Sequence, residues 1–195
     1  DIKITDYGYY ITLDIQGITT YSSLSNLNDY IKSLFMAYHV EVSSNKGNIV
    51  NLDIITKDIK ELNYKAIDLE PTKLVFGYDL KGNPIIVDML KTPHVGVVGT
   101  SNNGKSKCIE GALKNLKGSN ITLVNTFKKD FRGIIADRVN GNKEILEYLK
   151  RVSENKTVRE TPLYIVIDEY NTLSNVKGID KVVQDLLSQA RHYNV

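Results

Sequence analysis

The 195-residue sequence holds one cysteine, Cys108, so no disulfide can close within the chain, and a reducing compartment accords with that. Long apolar runs are also missing. The longest, HVGVVG from His94 and LYIVI from Leu163, fall far short of the roughly 20 residues a membrane-spanning helix requires. A basic start leading through an apolar segment to a small-residue cleavage site does not occur in these residues, so no targeting peptide is expected in them. Repeats and low-complexity tracts are absent as well. Net charge is only +2, and 42% hydrophobic with 25% charged residues is the balance of folded globular chains, which excludes the disordered and fibrous classes. The two halves differ in sign: residues 1–93 carry nine Lys and Arg against twelve Asp and Glu, and residues 94–195 carry sixteen against eleven. That imbalance admits a polyanionic partner for the second half, although lysines scattered over helix exteriors produce the same count.

What is present divides into two patterns. YYITLDI, from Tyr9, alternates as a half-buried strand does. SLSNLNDYIKSLFMAYH then places Leu27, Ile31, Leu34 and Phe35 at helical spacing, with Ser and Asn available as caps. HVEVSS, the turn-like NKGN and IVNLDIIT predict a hairpin. Residues 1–70 are therefore expected to form a small α+β domain. LVFGYDL, KGNP and IIVDML predict a second hairpin turning at Gly82-Asn83. From residue 94 onward short apolar runs, HVGVV and ITLVN, flank an expected helix from about Lys105 to Leu116. LYIVI is unbroken in apolarity, as a parallel strand covered on both faces should be. Ile179, Val182, Val183, Leu186, Leu187 and Ala190 follow a helical period. Residues 71–195 thus predict an α/β core with a mostly parallel sheet.

Between HVGVV and the first of those helices, Gly99, Gly104, Lys105 and Ser106 satisfy the G-x-x-x-x-G-K-[ST] pattern in its meaningful context, strand before and helix after. Thr100, Ser101, Asn102 and Asn103 fill the loop, and Lys107 is the next helical residue; all nine positions are candidate nucleotide contacts. Backbone amides from about Asn102 to Ser106 would converge with the positive helix end on a β-phosphate. Lys105 would add charge at the β and γ oxygens, and the Ser106 hydroxyl would be offered to Mg²⁺. The expected ligands are therefore ATP and Mg²⁺.

LYIVIDEY ends its strand on Asp168 and Glu169, where open α/β sheets place ligand-facing groups. Asp168 is the candidate Mg²⁺ residue beside Ser106. Glu169 is the candidate general base for an attacking water, with Lys105 as the other catalytic candidate. Thr126 ends ITLVN, the strand after the P-loop helix, and either senses a phosphate or simply terminates that strand. Lys128, Lys129 and Arg132, with Phe127 and Phe131 nearby, form a local basic cluster that is also what a solvated face looks like. Cys108 fits a buried apolar role, and Arg191 either reaches a neighbouring subunit or lies on the surface.

GYDLKGNPIIVDMLKTPHVGVVGTSNNGKS, followed by LYIVIDEY and LLSQARHYNV, resembles the motor domain of FtsK/SpoIIIE-type DNA-pumping ATPases. In that family a hairpin carrying a G-x-D-x-x-G-x-P phrase leads to Pro-His, the first core strand and the P-loop, matched by Gly77, Asp79, Gly82, Pro84, Pro93 and His94. The resemblance covers about residues 74–195 and extends more loosely to the small domain before it. It implies a RecA-like core and a ring, usually a homo-hexamer, that moves double-stranded DNA with ATP hydrolysis. It also implies a cytoplasmic motor without direct membrane contact from these residues, a tether elsewhere in the protein, and a relaxase or other DNA-processing partner. Protein-secretion ATPases of the type VII kind share every one of these motifs, and a nucleotide-binding assembly module without turnover is the third reading.

Two departures stand out. Asn102-Asn103 replaces the family's usual Gly-Ser, and asparagine tolerates left-handed backbone better than most residues. After ARHYNV the family continues with a strand that packs between the P-loop strand and the acidic strand, so both are expected to have unpaired edges here and the core is expected to be part of a longer protein.

Overall fold

A computed structural model describes residues 1–44, 47–58 and 67–195, the side chains of 190 and 191 excepted, and divides the chain into two units. One comprises Asp1–Asn63 with Tyr78–Pro84; the other comprises Tyr64–Gly77 with Ile85–Val195.

In the first unit four antiparallel strands, β1 (Ile2–Thr5), β2 (Gly8–Asp14), β3 (His39–Ser44) and β4 (Ile49–Ile55), lie in the order β1-β2-β4-β3. The period-2 pattern of the sequence decides which face is dry. Ile11, Val40, Leu52 and Ile54 share the covered face, where Ile31 and Phe35 pack against them. The expected β3–β4 hairpin is present, while Asn45 and Lys46 of its turn lie outside the described residues. The single helix expected after β2 is instead two, α1 (Tyr21–Ser25), capped by the Thr20 hydroxyl on the Ser23 amide, and α2 (Asn28–Leu34). Ser and Asn at positions 22–28 compete for backbone bonds and favour caps over helix interior, which is the physical reason for the break. In consequence Leu27 and Leu34, expected in the apolar stripe, are exposed.

On the opposite face of β4 Asp53 is 6% exposed and is held by two groups. Lys81 Nζ lies 2.7 Å from its Oδ2, and the Tyr7 hydroxyl donates to Oδ1 at 3.1 Å. Burial opposes the Lys81 charge, but Asp53 outweighs it and raises the Lys81 pKa.

The hairpin of β5 (Lys73–Tyr78) and β6 (Pro84–Asp88) forms with Gly82 at φ 86° in its turn, as its sequence predicts. The aspartate of the G-x-D-x-x-G-x-P phrase builds that turn. Asp79 Oδ1 accepts from the amides of Lys81 and Asn83, both at 2.8 Å, and Oδ2 accepts from Asn83 Nδ2 at 2.9 Å. Burial pushes the Asp79 carboxyl up, yet these bonds hold it below the usual range.

The second unit is built on a parallel sheet of β7 (Asn120–Val124), β8 (Asp137–Val139) and β9 (Leu163–Ile167) in the order β8-β7-β9. Alternation along β7 feeds two cores. Ile121 and Leu123 pack with Leu113 and Phe131 on the side of α3 (Lys105–Leu113). Val124 packs on the other side with Ile145, Leu149 and Val152 of α4 (Asn142–Glu154) and Ile179, Val182 and Leu186 of α6 (Ile179–Gln189). A short α5 (Tyr170–Leu173) and a 3₁₀ turn (Ala190–Tyr193) complete the described elements.

Three differences from the sequence reading have physical causes. His94–Val98, expected as a strand, has no ladder partner among the described residues; Val98 is 96% exposed, and an extended run without a neighbour is not a strand. The α3 helix stops at Leu113 because its last turn tightens into i→i+3 bonds, Asn115 to Ala112 and Leu116 to Leu113. Two further elements, α4 and β8, are not among those expected from the sequence. The first was legible in Ile145, Leu149 and Val152, whereas β8 has three residues, two of them charged. Among the described residues no helix is long and apolar enough to cross a membrane.

Replacing Lys81 by Met leaves the Asp53 carboxylate buried beside a single hydroxyl donor. Urea denaturation should show a loss of about 2–3 kcal/mol; a loss under about 0.5 kcal/mol would mean that Asp53 finds water without moving.

Candidate functional site

The loop before α3 closes on itself. Asn102 and Gly104 both adopt left-handed backbone, with φ 64° and 82°. The tolerance expected of asparagine at the Gly-Ser position is thus in use at Asn102, and Gly104 is needed for its dihedral alone, since a Cβ there would meet nothing within 4 Å. Asn103 Nδ2 donates to Thr100 Oγ1 at 2.6 Å, and Lys105 Nζ donates to the Thr100 carbonyl at 3.1 Å. The lysine stem runs beside Gly99, where a Cβ would sit 3.6 Å from Lys105 Cγ. Lys107, one residue beyond the motif serine, directs its ammonium along the helix to Glu110 at 2.7 Å. That bond, more than the opposing effect of burial, depresses the Glu110 pKa, and Lys114 adds to it.

β9 delivers the acidic residues to the same place. Ser106 Oγ donates to Asp168 Oδ2 at 3.3 Å, so the helix start and the strand end share one cleft. Asp168 is 7% exposed and pairs with no cation among the described residues. Desolvation raises its pKa; the Glu169 amide and the Ser106 hydroxyl pull the other way, while the charges of Glu169 and Asp130 push it further up. A buried carboxylate in that condition is suited to a divalent cation. No group of three or more His, Cys, Asp or Glu able to hold a metal occurs among the described residues, so a cation here would take most of its oxygens from phosphate and water. Ser106 and Asp168 fit Mg²⁺ on those terms.

Glu169 has an exposed side chain and a left-handed backbone, φ 49° and ψ 49°. That conformation costs a non-glycine residue of the order of 1–3 kcal/mol and persists only where its surroundings impose it. Hydrogen bonds from two residues, Thr172 and Asn125, impose it. Thr172 donates to the Glu169 carbonyl from its amide at 3.0 Å and from its hydroxyl at 2.8 Å. From the end of β7, Asn125 Nδ2 reaches the Asp168 carbonyl at 3.1 Å, the Glu169 carbonyl at 3.4 Å and Thr172 Oγ1 at 2.9 Å.

No sequence motif marks Asn125; the candidate at this strand end is its neighbour Thr126. The Thr126 side chain is buried, and its hydroxyl accepts from Arg138 Nη1 at 3.0 Å. Arg138 also binds the carbonyls of Phe127, Asp130 and Phe131, staking the loop that follows β7. On that loop Lys128, Lys129 and Arg132 are exposed, as a solvated face would be, and Phe131 is buried in the core while Phe127 is not. Cys108 is half-buried with its Sγ 3.6 Å from the Phe76 carbonyl. The side chain of Arg191 lies outside the described residues.

No protein-family model matches the chain. Among curated proteins it is 27% identical over 108 residues to the DNA translocase SftA of Bacillus subtilis, covering 49% of this chain and 11% of that protein. It is 28% identical over 101 residues to the DNA translocase FtsK of Streptomyces coelicolor, covering 52% and 10%, and 30% identical over 80 residues to FtsK of Staphylococcus epidermidis, covering 41% and 9%. The matches thus span about a tenth of these relatives' length. They bear out the resemblance to FtsK/SpoIIIE-type motors read from the sequence. Among solved structures, the pCW3 conjugation coupling protein TcpA, a monomer form with ATPγS, superposes with a TM-score of 0.54 at 16% identity, covering all of this chain and 68% of that one. At that identity the likeness is one of fold, a mixed α/β architecture with a parallel sheet.

Because ionised Asp168 is buried without a cation, neutralising it should relieve the fold. Without nucleotide or metal, Asp168→Asn is expected to raise the thermal midpoint, by about 2 °C if the relief approaches 1 kcal/mol. In the parent chain protonation gives the same relief, so the difference should narrow as pH falls through the raised Asp168 pKa. A lower midpoint for the variant would contradict the account of Asp168.

Proposed function

We propose that the chain is the nucleotide-binding part of an ATP-driven double-stranded DNA translocase or DNA-transfer coupling ATPase. The observation that carries the reading is the 3.3 Å approach of Ser106 to buried Asp168, which joins the glycine-lysine-serine loop to the acidic strand end. The names of the relatives support DNA as the substrate, and the TcpA likeness supports the fold. On this reading residues 1–70 are the small α+β domain and 71–195 the motor core.

ATP is the substrate. The loop from Gly99 to Ser106 binds its phosphates through backbone amides at the positive end of α3, with Lys105 supplying a mobile charge. Ser106 and Asp168 would hold Mg²⁺, which when bound neutralises phosphate charge. Glu169 accepts a proton from the attacking water, its solvent-exposed carboxylate being free to do so. Lys107, tied to Glu110, serves through its backbone and not its ammonium. The working assembly is a ring of identical subunits, a homo-hexamer, in the cytoplasm with a membrane tether outside these residues, and a relaxase or similar DNA-processing protein is the partner class.

The test is ATP turnover by the complete protein with and without duplex DNA, alongside Lys105→Ala and Glu169→Gln. DNA should stimulate hydrolysis, and each change should lower the stimulated rate about 100-fold or more. Glu169→Gln should retain nucleotide and Lys105→Ala should bind it at least about tenfold more weakly. Equal rates with and without DNA would overturn the translocase reading in favour of a protein-secretion motor; nucleotide binding with no turnover at all would leave an assembly module.

A further inference from the structure

We infer that Asn125 is a positioning residue for Glu169: its side-chain amide holds the Asp168-Glu169 turn in the left-handed conformation from which the Glu169 carboxylate is presented. The inference rests on the reading of Glu169 as general base, and its geometry stands apart from that reading.

Asn125 follows the last parallel rung of the sheet, Val124 beside Ile167, and the Asp168 amide still donates to the Val124 carbonyl at 3.0 Å. Its own amide donates to Val139 at 3.0 Å, so the main chain is bonded toward β8 while the side chain is bonded toward the end of β9. One residue therefore ties all three strand ends together. The backbone at Asn125 is left-handed, φ 57°, which asparagine accepts more readily than other side chains of its size.

The chemistry of the contact requires a donor. Nδ2 faces two carbonyl oxygens and a hydroxyl whose own proton is committed to the Glu169 carbonyl. Two amide protons thus serve three acceptors, and the acceptor set fixes which way the amide is turned. An aspartate of the same shape would confront those carbonyls with lone pairs and a charge. Glycine would keep the dihedral and lose the bonds. Freed of them, Glu169 keeps the two Thr172 bonds to its carbonyl and its own amide's bond to Asp168 Oδ1 to hold a conformation that L-residues avoid.

The experiment uses the complete protein and the substitutions Asn125→Asp, Asn125→Gly and Glu169→Gln, each alone, with the two Asn125 changes also combined with Glu169→Gln. ATP turnover, binding of a fluorescent ATP analogue, thermal midpoint and crystal structures are measured. Both Asn125 variants should lose about 100-fold in kcat, with analogue affinity within about threefold and the midpoint within about 2 °C. In their crystal structures Glu169 should leave the left-handed region. Added to Glu169→Gln, neither should slow turnover further, because Asn125 acts through Glu169.

The outcomes separate the two claims. Turnover unaffected by Glu169→Gln overturns the general-base reading, while the position of Glu169 in the Asn125→Gly crystal still decides whether Asn125 holds the turn. If Glu169→Gln abolishes turnover and both Asn125 variants run within threefold of the parent with Glu169 still left-handed, the positioning inference is overturned. Equal losses of kcat, affinity and midpoint would reduce Asn125 to a general structural residue and overturn it as well.

Discussion

A carboxylate taken out of water without a cation is the constraint around which the second unit is arranged. Asp168 can be buried only because the Ser106 hydroxyl and the Glu169 amide each give it a hydrogen bond, and those two donors belong to a helix start and to the turn beyond a strand. The parallel pairing of β7 with β9 brings the strand end to that depth, and the core between β7 and α3 sets the helix against the same sheet. Desolvation opposes the charge of the acid, and no cationic group among the described residues pairs with it. A site completed by a bound cation is what such an arrangement favours.

Much of this was legible in the sequence because it depends on local chemistry. Asparagine in place of the family's Gly-Ser was expected to tolerate left-handed backbone, and Asn102 adopts it, as Gly104 does. The hairpin turn at Gly82-Asn83 was written in its residues, and Asp79 explains the family phrase as a turn-building carboxylate. Alternation in β2 and β4 gave the covered face of the first sheet. Strandedness of His94–Val98 was not legible, because an apolar run specifies a strand only together with its neighbour, and that information is not local. The broken helix at residues 21–34 shows capping residues prevailing over a periodic stripe.

Asn125 was invisible for a related reason. Nothing in its sequence neighbourhood distinguishes it from a residue that ends a strand, and its partners lie 43 to 47 positions away. Only the register of β7 against β9 makes them neighbours. Thr126 is the next residue, but consecutive residues at a strand end point to different surroundings, and the threonine hydroxyl accepts from Arg138. Linear motifs locate the groups that touch a ligand; the groups that aim them are found by topology.

On the proposed reading, the bond from Lys105 to the Thr100 carbonyl makes the loop its own placeholder. A neutral guest would have to compete with that carbonyl on even terms, oxygen for oxygen. A multiply charged one displaces it readily, since a hydrogen bond from an ammonium to an anion is roughly twice as strong as one to a neutral acceptor. If the loop binds a nucleotide as proposed, discrimination by charge would therefore be exercised at the threshold, before any base or sugar is touched.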